Sequence, residues 1–307
     1  MTYYAKLLLL GEHTIINSSN ALAIPFRRFS GQWKWMTGED SPAAAQQQLT
    51  AFAKYLDQMP SSGEMPAIDI ARFSRELSEG LYFDSDIPRG YGLGSSGALC
   101  AAVYDRYARE KISRGQIEKY PILKNQLATM ESFFHGSSSG TDPLICYLER
   151  PVLLLRGGQL EQVMLPSAPS DGSYRFFLLD TGITRKTGPL VQIFLKKYEA
   201  PAYASRINSR LAPQVNGAIQ NLLAGQWTDL FGRMAAISRL QLELMPEMIP
   251  VDFRKVWQEG LESDVYKLKL CGAGGGGFLL GYTNDYERTS TFLETKGMAV
   301  MECPVSR

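Results

Sequence analysis

The sequence predicts an α+β protein in which helices pack on largely antiparallel sheets. Three observations point there. Strand-sized apolar runs and helix-period stretches follow one another in mixed order, with no internal repeat and no low-complexity linker. The 307 residues amount to roughly two domains at about 100–200 residues each. The composition, 45% hydrophobic and 21% charged, is that of a globular chain able to bury a core. A break is expected near 150–180, giving domains of residues 1–170 and 171–307.

Taken in order, residues 3–10 are almost continuously apolar and stop at Gly11, the mark of a buried strand. Asn17-Ser18-Ser19-Asn20 is turn chemistry, and Ala21–Ile24 is a second short strand, expected to end at Pro25. Gln32–Met36 alternates polar and apolar residues, as a half-exposed strand does. Residues 42–59 and 65–79 read as helical or connecting segments. A glycine-rich loop, Ile87–Gly97, then feeds a helix in which Leu99, Ala102, Val103 and Tyr107 recur at helical spacing, opposite Asp105, Arg106 and Arg109. A second helix over about 122–134 runs into a loop, His135–Gly140. Pro151–Leu155 and Arg175–Leu179 are strand-like, and helical patterns fill about 190–260, with Met234, Ile237, Leu240 and Leu244 on one face. Tyr266–Leu270, Gly272–Gly277 and Phe278–Tyr282 read as strand, glycine turn and strand, and Gly297–Cys303 as a last strand.

Several function classes are excluded. Lys+Arg 32 against Asp+Glu 31 leaves a net charge of +1, without the broad basic footprint of a nucleic-acid binder. A local pocket for an anionic small molecule stays open. No apolar run reaches the ~20 residues a membrane helix needs. The N-terminal apolar patch lacks a basic flank and is read as a strand, not a signal peptide. Cys100, Cys146, Cys271 and Cys303 are scattered without a CxxC pair, so reduced thiols in a cytoplasmic chain are expected, not a zinc site or a disulfide framework.

Several features carry possible chemistry. In Gly92-Leu93-Gly94-Ser95-Ser96 the glycines permit close backbone approach, and the following helix start offers unpaired N–H groups and a positive dipole end. That suits a phosphate; a serine-capped turn is the plainer reading. The run is neither GxxxxGK[ST] nor GxGxxG. Five glycines within Gly272–Gly277 need a special turn or a close neighbour, since glycine costs roughly 0.5–1 kcal/mol in regular structure. Glu131 lies near a helix C-terminus, where a carboxylate is disfavoured unless a cation sits beside it. Asp142, in a Gly/Ser loop, is either a turn former or a base or charge anchor facing a hydroxyl, and Lys6 either snorkels from a strand edge or points into a pocket, where it holds a phosphate or pairs with a carboxylate such as Asp142. The two histidines, His13 and His135, fall in the most unusual stretches of the chain, where structural and functional roles are both open.

Together, Lys6–Ala23 (KLLLLGEHTIINSSNALA), Pro88–Ala98 (PRGYGLGSSGA) and Lys269–Gly277 (KLCGAGGGG) resemble the three motifs of the GHMP kinase superfamily, in order and at the expected spacing. Glu131–Asp142 looks like the E-x-x-x-H-G-x-P-S-G-x-D segment of its mevalonate kinase branch, with Ser138 in place of the proline. Asp180–Thr187 is similar to that branch's N-T-x-x-x-R-x-T. Gly11-Glu12-His13-Thr14 also resembles galactokinase, but Ile15 stands where that group has a sugar-binding Asp.

The resemblance implies a two-domain GHMP kinase fold, with an N-terminal domain like ribosomal protein S5 domain 2 and a ferredoxin-like C-terminal domain. It implies ATP and Mg2+ as cofactors and a small-molecule alcohol as substrate, most closely mevalonate, converted to 5-phosphomevalonate. A sugar, sugar phosphate or phosphomevalonate is the alternative acceptor, and a non-catalytic nucleotide-binding homologue the alternative class. Ser96 and Glu131 would hold Mg2+; Gly92, Leu93, Gly94, Ser95 and Ser96 would cradle the phosphates. Asp142 would accept or orient the hydroxyl proton, with Lys6 beside it. Glu12, His13, Arg185, Thr187, Gly272 and Ala273 would lie on the substrate side. No nucleic-acid or membrane partner is implied, and a homodimer is allowed but not specified.

Overall fold

A computed structural model describes residues 1–36, 43–59, 66–184 and 187–305. The chain divides into two compact units, Met1–Lys6 with Pro25–Pro88 and Leu93–Arg150, and Leu7–Ile24 with Arg89–Gly92 and Pro151–Arg307.

The first strands are β1 (Thr2–Leu10) and β2 (Ala21–Trp35). Ala5, Leu7, Leu9 and Leu10 are fully buried, as a continuous apolar run requires. Pro25 does not end its strand. β2 runs 15 residues straight through it. The reason is where the neighbouring ladders fall. β4 (Val152–Leu154) pairs antiparallel with Ala21–Ala23 and β3 (Leu81–Ser85) with Gly31–Trp35, so Pro25 lies between the two, where a missing N–H breaks neither. The sheet order is β1-β2-β4-β5, with β3 also on β2 and β5 covering Leu160–Gln162.

In the first unit, α1 (Ala43–Gln58), α2 (Ile70–Ser78), α3 (Ser95–Tyr107), α4 (Tyr120–His135) and α5 (Thr141–Leu148) accompany β3. Trp33 of β2 makes edge-to-face contacts with Phe73 of α2, Phe83 of β3 and Tyr107 of α3. Gly31 has no side chain because the Phe83 ring fills the place, 2.3 Å from where a Cβ would stand. The Ala-rich α3 is buried almost all round and packs on α4 and α5. Asp69 caps α2 by accepting from the Arg72 N–H at 3.1 Å. The sequence reading placed Asp142 in a loop; it stands in the first turn of α5, started by Gly140 in a left-handed conformation at φ 71°. A Gly-Ser-rich N-terminal flank conceals an eight-residue helix that is buried from Pro143 to Leu148.

The second unit contains a four-stranded antiparallel sheet in the order β7-β8-β6-β9. Its strands are β6 (Arg175–Asp180), β7 (Tyr266–Leu270), β8 (Phe278–Thr283) and β9 (Val300–Cys303). Phe177 of β6 lies opposite Gly281 of β8, and its ring occupies the space a Cβ would need. The helices are α6 (Thr187–Tyr198), α7 (Pro201–Arg206), α8 (Ala212–Leu223), α9 (Trp227–Leu244), α10 (Arg254–Glu262) and α11 (Tyr286–Thr295). A π turn, Ile207–Leu211, joins α7 to α8, and α9 packs on β7. The last strand is shorter than the expected 297–303, because α11 precedes it and closes at Gly297 with φ 75°.

Candidate active site

In the first unit the site begins with Lys6. Its backbone N–H donates to the Leu93 carbonyl at 2.9 Å, which ties the strand to the start of the phosphate-type loop. Its side chain is 7% exposed and its Nζ lies 2.9 Å from Asp142 Oδ1, whose side chain is 33% exposed. Lys6 is thus buried and paired with a carboxylate, not snorkelling from a strand edge. Glycines make the approach possible. Gly94 precedes α3 at φ 75°, and a Cβ there would stand 2.9 Å from Lys6 Cγ. Gly97 lies so close to α5 that a Cβ would be 2.8 Å from the Asp142 carbonyl carbon and from Pro143 N. The N-termini of α3 and α5 thus meet at Asp142. Neither helix has a side-chain cap at the residue before it, so the α3 entrance keeps the anion-accepting character of a helix start.

Glu131 is 4% exposed and has a hydroxyl on each oxygen. Ser96 Oγ donates to Oε1 at 2.8 Å and Ser138 Oγ donates to Oε2 at 2.5 Å. Ser138 in turn accepts from the Gly140 N–H at 2.9 Å. His135 Nε2 lies 3.0 Å from Ser96 Oγ. Burial, then the charge of Asp142, pushes the Glu131 carboxyl up to about 7 against the pull of both serines and Lys6. A buried carboxylate flanked by a serine oxygen is a hard-oxygen donor pair of the kind Mg2+ takes, and a cation would relieve the charge that burial penalises. Ser138, where the related segment has proline, supplies a hydrogen bond that proline cannot make.

In the second unit Glu12 and His13 follow Gly11, whose φ of 105° and tight contact with Ala21 admit no side chain. Glu12 Oε1 lies 2.5 Å from Lys269 Nζ, and the two side chains are 1% and 0% exposed. Lys269 also donates to the Leu270 carbonyl at 2.7 Å. Sequence reading gave Lys269 no role: in Tyr266–Leu270 both lysines are buried, and alternation offers no sign of that. His13 has φ 60°, a sparsely populated conformation for a side-chain-bearing residue. Its Nε2 is 3.1 Å from the Ala273 carbonyl and its ring packs against Phe194 at 5.0 Å. Consecutive residues 12 and 13 are thus held by β7 and by the loop after it. Within that loop Gly272 has φ 66°, and Thr181 Oγ1 donates to the Gly277 carbonyl at 2.6 Å. Gly92, at φ 76°, belongs to this unit as well. Arg185 lies outside the described residues, and of Thr187 only its place at the start of α6 is described.

Residues 53–150 match the family model of the GHMP kinases N terminal domain. No curated protein matches the sequence. Among solved structures, L. major mevalonate kinase in complex with R-mevalonate is 15% identical with a TM-score of 0.69, covering 100% of this chain and 96% of that one. Streptococcus pneumoniae phosphomevalonate kinase in complex with phosphomevalonate and AMPPNP is 15% identical at a TM-score of 0.63, covering 98% and 99%. Lactococcus lactis galactokinase with galactose is 14% identical at 0.66, covering 99% and 92%. The match to the GHMP kinase N-terminal domain thus lies in residues 53–150, and the chain shares the fold of these three solved kinases over nearly its whole length.

Proposed function

We propose that the protein is an ATP- and Mg2+-dependent kinase of a small-molecule hydroxyl, acting on mevalonate to give 5-phosphomevalonate. The observation that carries the reading is the Lys6–Asp142 pair, 2.9 Å apart, at the entrance of α3 beside the Ser96–Glu131 donor pair. Phosphoryl transfer asks chiefly for positioning and charge neutralisation. Mg2+ supplies neutralisation of phosphate charge when bound, and Ser96 and Glu131 are the residues to hold it. The loop Gly92–Ser96 and the first N–H groups of α3 take phosphate oxygens. Asp142 accepts the proton of the acceptor hydroxyl as its oxygen bonds to the terminal phosphorus and the bond to the ADP oxygen breaks. Lys6 fixes the Asp142 carboxylate and balances its charge.

On the acceptor side the reading assigns His13, Gly272, Ala273, Thr187 and Arg185, the last as partner for an acid group. Glu12 acts there through its place in the chain, since its carboxylate is engaged by Lys269. A solved structure of similar fold holding R-mevalonate supports the acceptor, and one holding phosphomevalonate and AMPPNP supports the nucleotide. Four buried free cysteines fit a reducing, cytoplasmic setting. No helix among the described residues is long and apolar enough to cross a membrane. The test is ADP release from ATP and Mg2+ with mevalonate, phosphomevalonate and galactose in parallel. Mevalonate is expected to show the highest kcat/KM. A higher value for either other alcohol overturns the acceptor, and no ADP with any of them overturns the kinase.

A further inference from the structure

The kinase reading uses Ser96 and Glu131 but gives His135 no part. We infer that His135 is a positioning residue for Ser96: its Nε2 accepts the hydrogen bond of the Ser96 hydroxyl when the Ser96 oxygen and Glu131 turn to a divalent cation. The inference rests on the metal assignment above and extends it.

The geometry sets up a choice for one proton. Ser96 has a single hydroxyl hydrogen and two acceptors within reach, Glu131 Oε1 at 2.8 Å and His135 Nε2 at 3.0 Å. With no cation, the hydrogen goes to the carboxylate. A divalent cation held by Ser96 and Glu131 would compete for a carboxylate oxygen and for the serine lone pairs. The hydroxyl must then donate elsewhere, because leaving it unpaired in a partly buried place costs about 1–3 kcal/mol. His135, in the tautomer with its hydrogen on Nδ1, is the acceptor already in place.

The second serine on Glu131 shows why Ser96 is the mobile one. Ser138 donates to Oε2 and is itself held by the Gly140 N–H, so its hydroxyl is fixed from both sides. Oε2 is thereby committed and Oε1 is the oxygen that can be released. The placement of His135 is built in by the helix. It stands four residues after Glu131, on the same face of α4, and Gly136 at φ 75° stops the helix immediately behind it. His135 is exposed, so replacing it empties no core position.

The experiment is calorimetric titration of the whole protein with AMPPNP, once in Mg2+ and once in EDTA. It compares wild type, His135→Phe, His135→Gln, Ser96→Ala and the Ser96→Ala/His135→Phe double variant. In Mg2+, His135→Phe is expected to weaken AMPPNP binding about tenfold, the scale on which outer groups tune metal sites. In EDTA it should change nothing. His135→Gln, whose side-chain carbonyl can accept, should recover most of the loss. In the Ser96→Ala background His135→Phe should cost nothing further. An undiminished affinity for His135→Phe in Mg2+, an equal loss in EDTA, or a full loss on top of Ser96→Ala overturns the inference and leaves the metal assignment standing. Wild-type binding indifferent to Mg2+ overturns that assignment and this inference with it.

Discussion

Asp142 and Glu76 are two carboxylates in contrasting surroundings, one half-buried and one nearly buried. Asp142 is a third exposed, sits at a helix start and has Lys6 at 2.9 Å. Asp142→Asn keeps its shape and removes its basicity. Turnover should fall about 10²–10⁴-fold, the usual worth of a positioned base, while AMPPNP affinity changes little. Initial rates set beside calorimetry check this. Glu76 instead is closed in by Arg72 at 2.8 Å, Arg106 at 2.7 Å and the Tyr107 hydroxyl at 2.7 Å. Burial alone would raise its carboxyl, but hydrogen bonds from Arg106, Tyr107 and Arg72 bring it down to about 2. A carboxyl depressed by folding contributes stability that is complete above its unfolded value near 4.5 and fades as pH falls toward about 2. Glu76→Gln should therefore cost about 1–3 kcal/mol at neutral pH. The gap in Tm between wild type and variant should close between pH 5 and pH 2 in thermal melts.

Among the elements, α3 and α5 are the pair whose contact shapes the site. Gly97 lets them meet, and a Cβ there would press on backbone atoms of Asp142 and Pro143, which cannot swing aside as a side chain does. Gly97→Ala is expected to lose about 1–3 kcal/mol from overpacking. It should also lower turnover beyond what the fall in stability explains, because the residue displaced is Asp142. Chemical denaturation and kcat measured on the folded fraction separate the two effects. The loop before α3 was legible because glycine in such density has few purposes. Helix α5 was not. Its N-terminal flank, Gly136–Gly140, carries turn chemistry, and its eight residues are too few and too uniformly apolar to show a face. Pro25 misled for a related reason: a proline ends a strand only where a ladder needs its N–H, and that need is set by strands far away in sequence.

For the molecule as a whole, the fold class and the places of the motifs were readable because they rest on continuous apolar runs and on glycine. The pairing that orders those pieces was harder to foresee. The Lys269–Glu12 contact joins residues 257 apart in sequence, and nothing local in either stretch announces the other. Ser138 was visible only as a departure from a related pattern, and its hydrogen bond to Glu131 came from the structure. A chain-wide prediction follows from mass action. AMPPNP with Mg2+ at about 100 times its Kd should stabilise the native protein by about 2.7 kcal/mol. Differential scanning calorimetry should register that as a rise of several degrees in Tm, and Ser96→Ala should blunt it.

The glycine run after β7 touches a different neighbour at each step. A methyl group at Gly274 would meet the Met248 carbonyl at 2.6 Å, at Gly275 a Leu190 methyl at 2.7 Å, at Gly276 the Ile183 carbonyl at 2.5 Å and at Gly277 the Tyr91 backbone at 2.8 Å. Four segments are thus keyed together by the absence of four side chains. Alanine scanning across 274–277 would abolish turnover at every step and invite the conclusion that each glycine greets the ligand. The yield of soluble protein would fall in parallel, betraying a keystone in the masonry and not a wall of the binding chamber.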